Sequence, residues 1–308
     1  MIFVFPGQGS QKIGMGKDIY DNFSAAKQVF QEVDDAISFN LSKVIFEGTE
    51  DELKSTENTQ PALMAVSMAF VEVLRQEFGF DPAQKAKFFA GHSLGEYTAL
   101  CAANVISLED TAKILRIRGK AMAEAYPTGG AMAAILGFKL ELLEQIVEKI
   151  SNDGGIVQIA NDNSSVQVVI SGEANAVQEV GKLASEQGAR RVVLLPVSGP
   201  FHSKLMQSAA DALEEILNST KFNSSTVPII SNVTAQATTE NFKDLLLQQI
   251  TGRVRWRESM MCAESHGASK CVEVGSGRVL ADLCKRIAPS LKLYSINSLE
   301  TLQEFCSE

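Results

Sequence analysis

At 308 residues, 45% of them hydrophobic and 21% charged, the sequence has the length and balance of one large globular domain, or of a large domain with a smaller one attached. A net charge of -9 argues against nucleic acid as a partner, and MIFVFPGQGS, which lacks a basic start and turns polar after one short apolar run, argues against a secretory leader. No apolar run is long enough to cross a membrane, the three histidines are too scattered for a zinc site, and five cysteines without a C-x-x-C pair fit a reducing cytoplasm.

In chain order, IFVF is a strand and Pro6-Gly7-Gln8-Gly9-Ser10 a loop, followed by helical patterns to about residue 78. The Gln8 N–H, flanked by Gly7 and Gly9, is either an oxyanion donor aimed into a cleft or part of an ordinary strand-to-helix turn. GQGSQK and GSGRVL carry Lys12 and Leu280 where a dinucleotide fingerprint needs its third glycine, so neither is read as a nucleotide loop. The next strand, FFA, runs through GHSLG into the helical YTALCAA. G-x-S-x-G between a strand and an apolar helix fits a nucleophile elbow, whose glycines leave room for a serine at positive φ. A helix-capping Ser93 fits the same residues.

The helix LEDTAKILRIRGKAMAEA puts Glu109, Lys113, Arg116, Lys120 and Glu124 on one solvated face. Arg118 falls opposite, among Ile114, Ala121, Met122 and Ala125. A guanidinium on an apolar face keeps its proton and needs an anion, either a protein carboxylate or a substrate carboxylate. After Tyr126-Pro127-Thr128-Gly129-Gly130 come strand AMAAILGF, helix KLELLEQIVEKI, strands IVQIA and VQVVIS about an Asn-Asp-Asn-Ser-Ser turn, helix EANAVQEVGKLASEQ and strand RRVVLLPV. This β-α-β-β-α-β order is ferredoxin-like and predicts a small domain at 128–196.

From Phe201 onward helices and strands alternate again, ending in strands KCVEVG and KLYSI. The fold class is therefore α/β: a large α/β-hydrolase-like domain, 1–127 and 197–308, with a mostly parallel sheet and an inserted ferredoxin-like small domain. Sites in such sheets lie at the carboxyl ends of the strands. His202, between a strand's end and a helix's start, can reach that edge and act as the base a serine nucleophile needs. His266 closes a helix before Gly267, which is a sufficient structural reason for it, and His92 should point away from the cleft or line its wall.

Taken together, FPGQGSQ (5–11), GHSLGEY (91–97), IRGKAM (117–122), GAMAAILG (130–137), SGPFHS (198–203) and QQITGRVRW ending at Trp256 resemble the malonyl-CoA:acyl carrier protein transacylases of fatty acid synthesis, in that family's order from end to end. The resemblance implies that Ser93 carries the malonyl group as an ester, with His202 as base and later acid. It implies an oxyanion hole of the Gln8 and Leu94 N–H groups, Arg118 holding the malonyl carboxylate, and the Gln249 backbone carbonyl orienting the histidine in place of a triad acid. Phe201 resembles the bulky residue that leaves little room for a 2-methyl branch, and Met122, Asn161 and Asn163 match residues lining the cleft. The partners implied are malonyl-CoA and an acyl carrier protein, with no metal or redox cofactor. Carrier proteins of such systems are acidic, which makes Arg190 and Arg191 a candidate docking patch on an otherwise acidic chain.

The competing reading of the elbow is a serine esterase or thioesterase of α/β-hydrolase type. That fold expects an HGGG-type oxyanion segment and an acid between serine and histidine in chain order, and neither is evident. A non-catalytic scaffold for a carrier protein is a third reading, against which Ser93, His202 and Arg118 stand together.

Overall fold

The computed structural model describes residues 1–307 of the chain, and all statements of structure concern these. The strands are β1 (Ile2–Phe5), β2 (Phe88–Gly91), β3 (Gly130–Leu136), β4 (Val157–Ser164), β5 (Gln167–Glu173), β6 (Arg191–Leu194), β7 (Ile229–Ile230), β8 (Ala237–Thr238), β9 (Lys270–Val274) and β10 (Lys292–Ile296). Six of them form a sheet in the order β10-β9-β1-β2-β7-β8, parallel except at the β7–β8 edge. The expected α/β architecture with a mostly parallel sheet is observed. No helix among the described residues is long and apolar enough to cross a membrane.

Side chains alternate across a strand, and here both faces are apolar. Phe3, Phe5 and Phe89 pack against the helices Thr56–Gln76, Leu94–Ala102 and Leu108–Ala125. Ile2, Val4, Phe88 and Ala90 pack against Trp256 and Met260 of the helix Trp256–Ser265 and Leu280 and Cys284 of the helix Val279–Ile287. A sheet covered on both faces explains why IFVF and FFA read as unbroken apolar runs rather than alternating ones.

The remaining strands form an antiparallel sheet in the order β4-β5-β3-β6, with the helices Leu140–Asn152 and Ala174–Glu186 sharing a core with it. One detail differs from the sequence reading. Asn161, Asp162, Asn163 and Ser164 are not a turn but the end of β4, and the turn shrinks to Ser165-Val166. Two register shifts against β5 carry the strand onward, and it gains a second neighbour. The Val254 N–H donates to the Ala160 carbonyl at 2.8 Å and the Asp162 N–H to the Val254 carbonyl at 2.9 Å. The fully buried Asp162 carboxylate accepts from Arg253 Nη2 at 3.1 Å and from Arg257 Nη2 at 2.9 Å. Turn-forming residue types have been overridden by hydrogen bonds and ion pairs that arrive from 90 residues further along, from the segment that follows Gln249.

Candidate active site

The turn between β2 and the helix Leu94–Ala102 holds Ser93 at φ 54°, ψ -111°. A side chain at Gly91 would meet the Gly95 carbonyl at 1.9 Å, and one at Gly95 would meet the Phe5 carbonyl at 2.3 Å, so both flanking positions must be glycine. The capping alternative fails, because the Ser93 side chain bonds no N–H of the helix it precedes. Asn232, just beyond β7, staples the strained turn: its Oδ1 accepts from the Ser93 N–H at 2.8 Å and its Nδ2 donates to the Gly91 carbonyl at 2.7 Å.

Ser93 Oγ lies 2.8 Å from His202 Nε2. His202 also has positive φ, 56°, and Gln158 of β4 fastens its turn by donating to the His202 carbonyl at 3.1 Å and accepting from the Lys204 N–H at 3.0 Å. His202 Nδ1 lies 2.9 Å from the backbone carbonyl of Gln249. A carbonyl can only accept, so Nδ1 carries the proton and Nε2 is free to take one from the serine. Burial, with the Arg118 charge beside it, pushes His202 down to about 3, so the imidazole is neutral.

Arg118 is 1% exposed. Its Nη1 donates to Gln60 Oε1 at 2.6 Å, and its Nη2 to Gln249 Oε1 at 2.9 Å and Ser93 Oγ at 3.1 Å. Its Nε has no partner, and its Cζ stands 5.2 Å from the centre of the Tyr97 ring. Among the described residues it forms no ion pair with any carboxylate, and burial lowers its pKa. Of the two anions the sequence left open, the protein supplies neither oxygen of the first. Met122, 2% exposed, borders the same group: Gln60 Nε2 donates to its Sδ at 3.7 Å.

The Leu94 N–H opens its helix and has no acceptor among the described residues, and Gln8 sits on the loop that crosses above the elbow. That crossing is close. A side chain at Gly7 would meet the His92 carbonyl at 2.8 Å. His92 turns from Ser93 toward the small sheet, its Nε2 2.8 Å from Asn163 Oδ1 and its ring 5.6 Å from Trp256, and burial lowers its pKa. Asn163 thus reaches the serine only through His92. Asn161 is buried on the same strand, in a bridge to Val254. Phe201, 6% exposed, sits beside Gly199 and joins Met122 in the main core. His266 ends its helix with Nδ1 2.8 Å from the Cys262 carbonyl, away from this cluster.

Four side chains in the site were missed in the sequence: Gln60, Asn232 and Gln158, which carry no local signal, and Glu96, which does. Glu96 was the most legible of them, being a carboxylate in the first turn of an otherwise apolar helix. It is 3% exposed and accepts from Gln249 Nε2 at 2.6 Å and from the Asn232 N–H at 3.2 Å.

Residues 2–274 match the family described as acyl transferase domain. A malonyl CoA-acyl carrier protein transacylase of Bacillus subtilis is 45% identical over 304 residues, covering 98% of this chain and 94% of the relative. That of Staphylococcus aureus strain MSSA476 is 37% identical, covering 97% and 96%. The crystal structure of an acyl-carrier-protein S-malonyltransferase from Bartonella henselae superposes with a TM-score of 0.96 at 49% identity, covering 99% of this chain and 98% of that one. A malonyl-transacylase solved in complex with its type II polyketide acyl carrier protein superposes with a TM-score of 0.94 at 37% identity, covering 99% and 98%.

Proposed function

Because the chain belongs to the acyl transferase domain family, and within it to the malonyl-CoA:acyl carrier protein transacylases, we propose a specific division of labour for its site. The protein transfers the malonyl group from malonyl-CoA to the phosphopantetheine thiol of acyl carrier protein, through a malonyl-serine ester, and so supplies fatty acid synthesis. The observation that carries the chemical reading is a buried guanidinium with no carboxylate partner among the described residues, 3.1 Å from a serine hydroxyl that is itself paired with a neutral imidazole.

In the first half-reaction Ser93 Oγ attacks the thioester carbonyl while His202 Nε2 takes its proton. The Leu94 and Gln8 N–H groups receive the oxyanion, and Arg118 holds the malonyl carboxylate. Collapse breaks the carbon–sulfur bond, and the coenzyme thiolate leaves with the proton from His202. The second half runs in reverse: His202 removes the proton of the carrier's thiol, sulfur attacks the ester, and Ser93 regains its proton. The Gln249 carbonyl holds the histidine's tautomer throughout, and Met122, Asn161, Asn163 and Phe201 shape the cleft. An esterase triad would place a carboxylate on His202 Nδ1, and a carbonyl stands there instead. The test is intact-mass spectrometry after mixing with malonyl-CoA. A malonyl adduct that is discharged by a carrier thiol supports the transferase, and free malonate without an adduct supports a hydrolase.

We read the larger sheet with its helices as an α/β-hydrolase-like domain, 1–127 and 197–308, and the smaller as a ferredoxin-like insertion, 128–196. The strand order β4-β5-β3-β6 with two helices supports the second assignment. Five free cysteines support a cytoplasmic setting.

Phe201 sets acyl size in this scheme. Phe201→Leu is expected to raise the methylmalonyl-to-malonyl rate ratio on the order of tenfold, measured with both coenzyme thioesters. An unchanged ratio would make it a packing residue only. Arg190 and Arg191, with Arg286 from a helix of the large domain, line one exposed groove of about 520 Å³. None of the three forms an ion pair among the described residues, which supports their reading as an anionic docking patch. Reversing the charges of Arg190 and Arg191 is expected to raise KM for the carrier and flatten its salt dependence, with malonyl loading from coenzyme A unchanged. Equal loss of loading would show a structural role.

A further inference from the structure

We propose that Glu96 is a positioning residue and the internal counter-charge of Arg118, acting through the Gln249 carboxamide, and that an incoming acyl carboxylate competes with it for the guanidinium. This rests on the reading of Arg118 as the malonyl clamp.

The geometry is a three-residue relay. Gln249 Oε1 accepts from Arg118 Nη2 at 2.9 Å, while its Nε2 donates to Glu96 Oε2 at 2.6 Å and to the Ser93 carbonyl at 3.0 Å. Carboxylate and carbonyl oxygens only accept, so Glu96 and the Ser93 carbonyl together fix which end of the amide faces Arg118. With the amide reversed, two N–H donors would confront the guanidinium. Glu96 is the carboxylate whose charge bears on Arg118, yet the interposed amide keeps the two from forming an ion pair. The guanidinium is thus compensated enough to be buried and still has its Nε uncommitted.

The groups facing Glu96 come from every element around it: Gln249 from the helix Phe242–Thr251, the Asn232 N–H and the Ser231 hydroxyl from the segment after β7, Arg118 from the helix Leu108–Ala125, and Tyr97 from its own helix. Burial raises Glu96 to about 7, and hydrogen bonds from Gln249 and the Asn232 N–H, with the Arg118 charge, oppose the rise. Tyr97 is pushed up to about 12 and His202 down to about 3. His92, one position before the serine, is lowered as well. Glu96, raised to about 7, therefore changes charge across the neutral range. Each proton it gains removes the competitor for Arg118 and strengthens acyl-carboxylate binding; by reciprocity, binding draws a proton onto Glu96.

The test uses Ser93→Ala, which binds without turnover, titrated calorimetrically with malonyl-CoA and with acetyl-CoA from about pH 6 to 8.5. Both ligands carry the same coenzyme phosphates, so their ratio isolates the carboxylate. The preference for malonyl is expected to fall roughly tenfold as pH rises, on the scale of one charge acting at a few ångströms through protein. In Ser93→Ala/Glu96→Gln it should stay at the high, low-pH level throughout. A preference that is flat in Ser93→Ala, or still pH-dependent after Glu96→Gln, overturns the counter-charge. Should the double variant not fold, the Ser93→Ala profile decides alone. Absence of any preference for malonyl at every pH overturns the clamp reading instead.

Discussion

Ser93→Ala is expected to abolish the covalent malonyl adduct and to lower transfer by roughly 10⁴-fold or more, because the acyl acceptor itself is gone and only binding and the oxyanion donors remain. The fold should be untouched. Alanine needs less space than serine in the same turn, and the bond from the residue 93 N–H to Asn232 Oδ1 is a backbone contact that survives the change. Arg118 Nη2 keeps Gln249 Oε1 as an acceptor when the hydroxyl is removed. Thermal unfolding should therefore move by no more than about 1 kcal/mol equivalent, in either direction. Intact-mass spectrometry and a melting curve check both halves, and a variant that still accumulates malonyl would end the assignment of Ser93.

Arg118→Ala is expected to separate charge from chemistry. A buried, charge-assisted pair is worth far more than a surface one, so malonyl transfer should fall by on the order of 10² or more while acetyl transfer, which never used the guanidinium, falls much less. Water should also enter the vacated space, raising hydrolysis of the ester relative to transfer. Had Arg118 been half of a structural ion pair, its loss would orphan a buried carboxylate and cost roughly 3 kcal/mol or more. Among the described residues no carboxylate touches it, and Glu96, its counter-charge through Gln249, is raised to about 7 and can meet the loss by taking up a proton, so the loss of stability should stay below that figure. A large loss of stability with an unchanged acetyl-to-malonyl ratio would refute the clamp.

The sequence was most informative where local rules were broken. A serine between glycines after a strand, and an arginine on the apolar stripe of a helix, were each anomalies that geometry then accounted for: a turn at φ 54° and a guanidinium 1% exposed beside the serine hydroxyl. His202 was legible from its place between a strand and a helix, although nothing local showed that its backbone would also take a positive φ. Gln249 was identified only through the family resemblance, and its side chain's link between Arg118 and Glu96 was not legible at all. Asn232 and Gln158 were hidden for a different reason. Their functions lie in bonds to residues more than 40 positions away, and neither periodicity nor propensity encodes such partners. The same applies to VPIISNV, which reads as a full strand but pairs only at Ile229 and Ile230, because the chain beyond them turns to deliver Asn232 to the elbow.

The bridge between β4 and the chain around Val254 bears on how such enzymes can be recombined. Asp162 lies on β4 of the antiparallel sheet, whereas the two arginines that neutralise it, and the Val254 backbone that bridges to its strand, follow the helix Phe242–Thr251. A graft cut at the proposed boundaries, 128 and 196, would carry the acid away from its arginines. It would leave either two cations facing an apolar graft or a buried carboxylate facing a foreign host. Exchange of acyl specificity between relatives by swapping modules thus has a hidden third seam. The transplanted unit must include residues 253–257, and with them the stretch that begins just after the carbonyl on which the His202 imidazole leans.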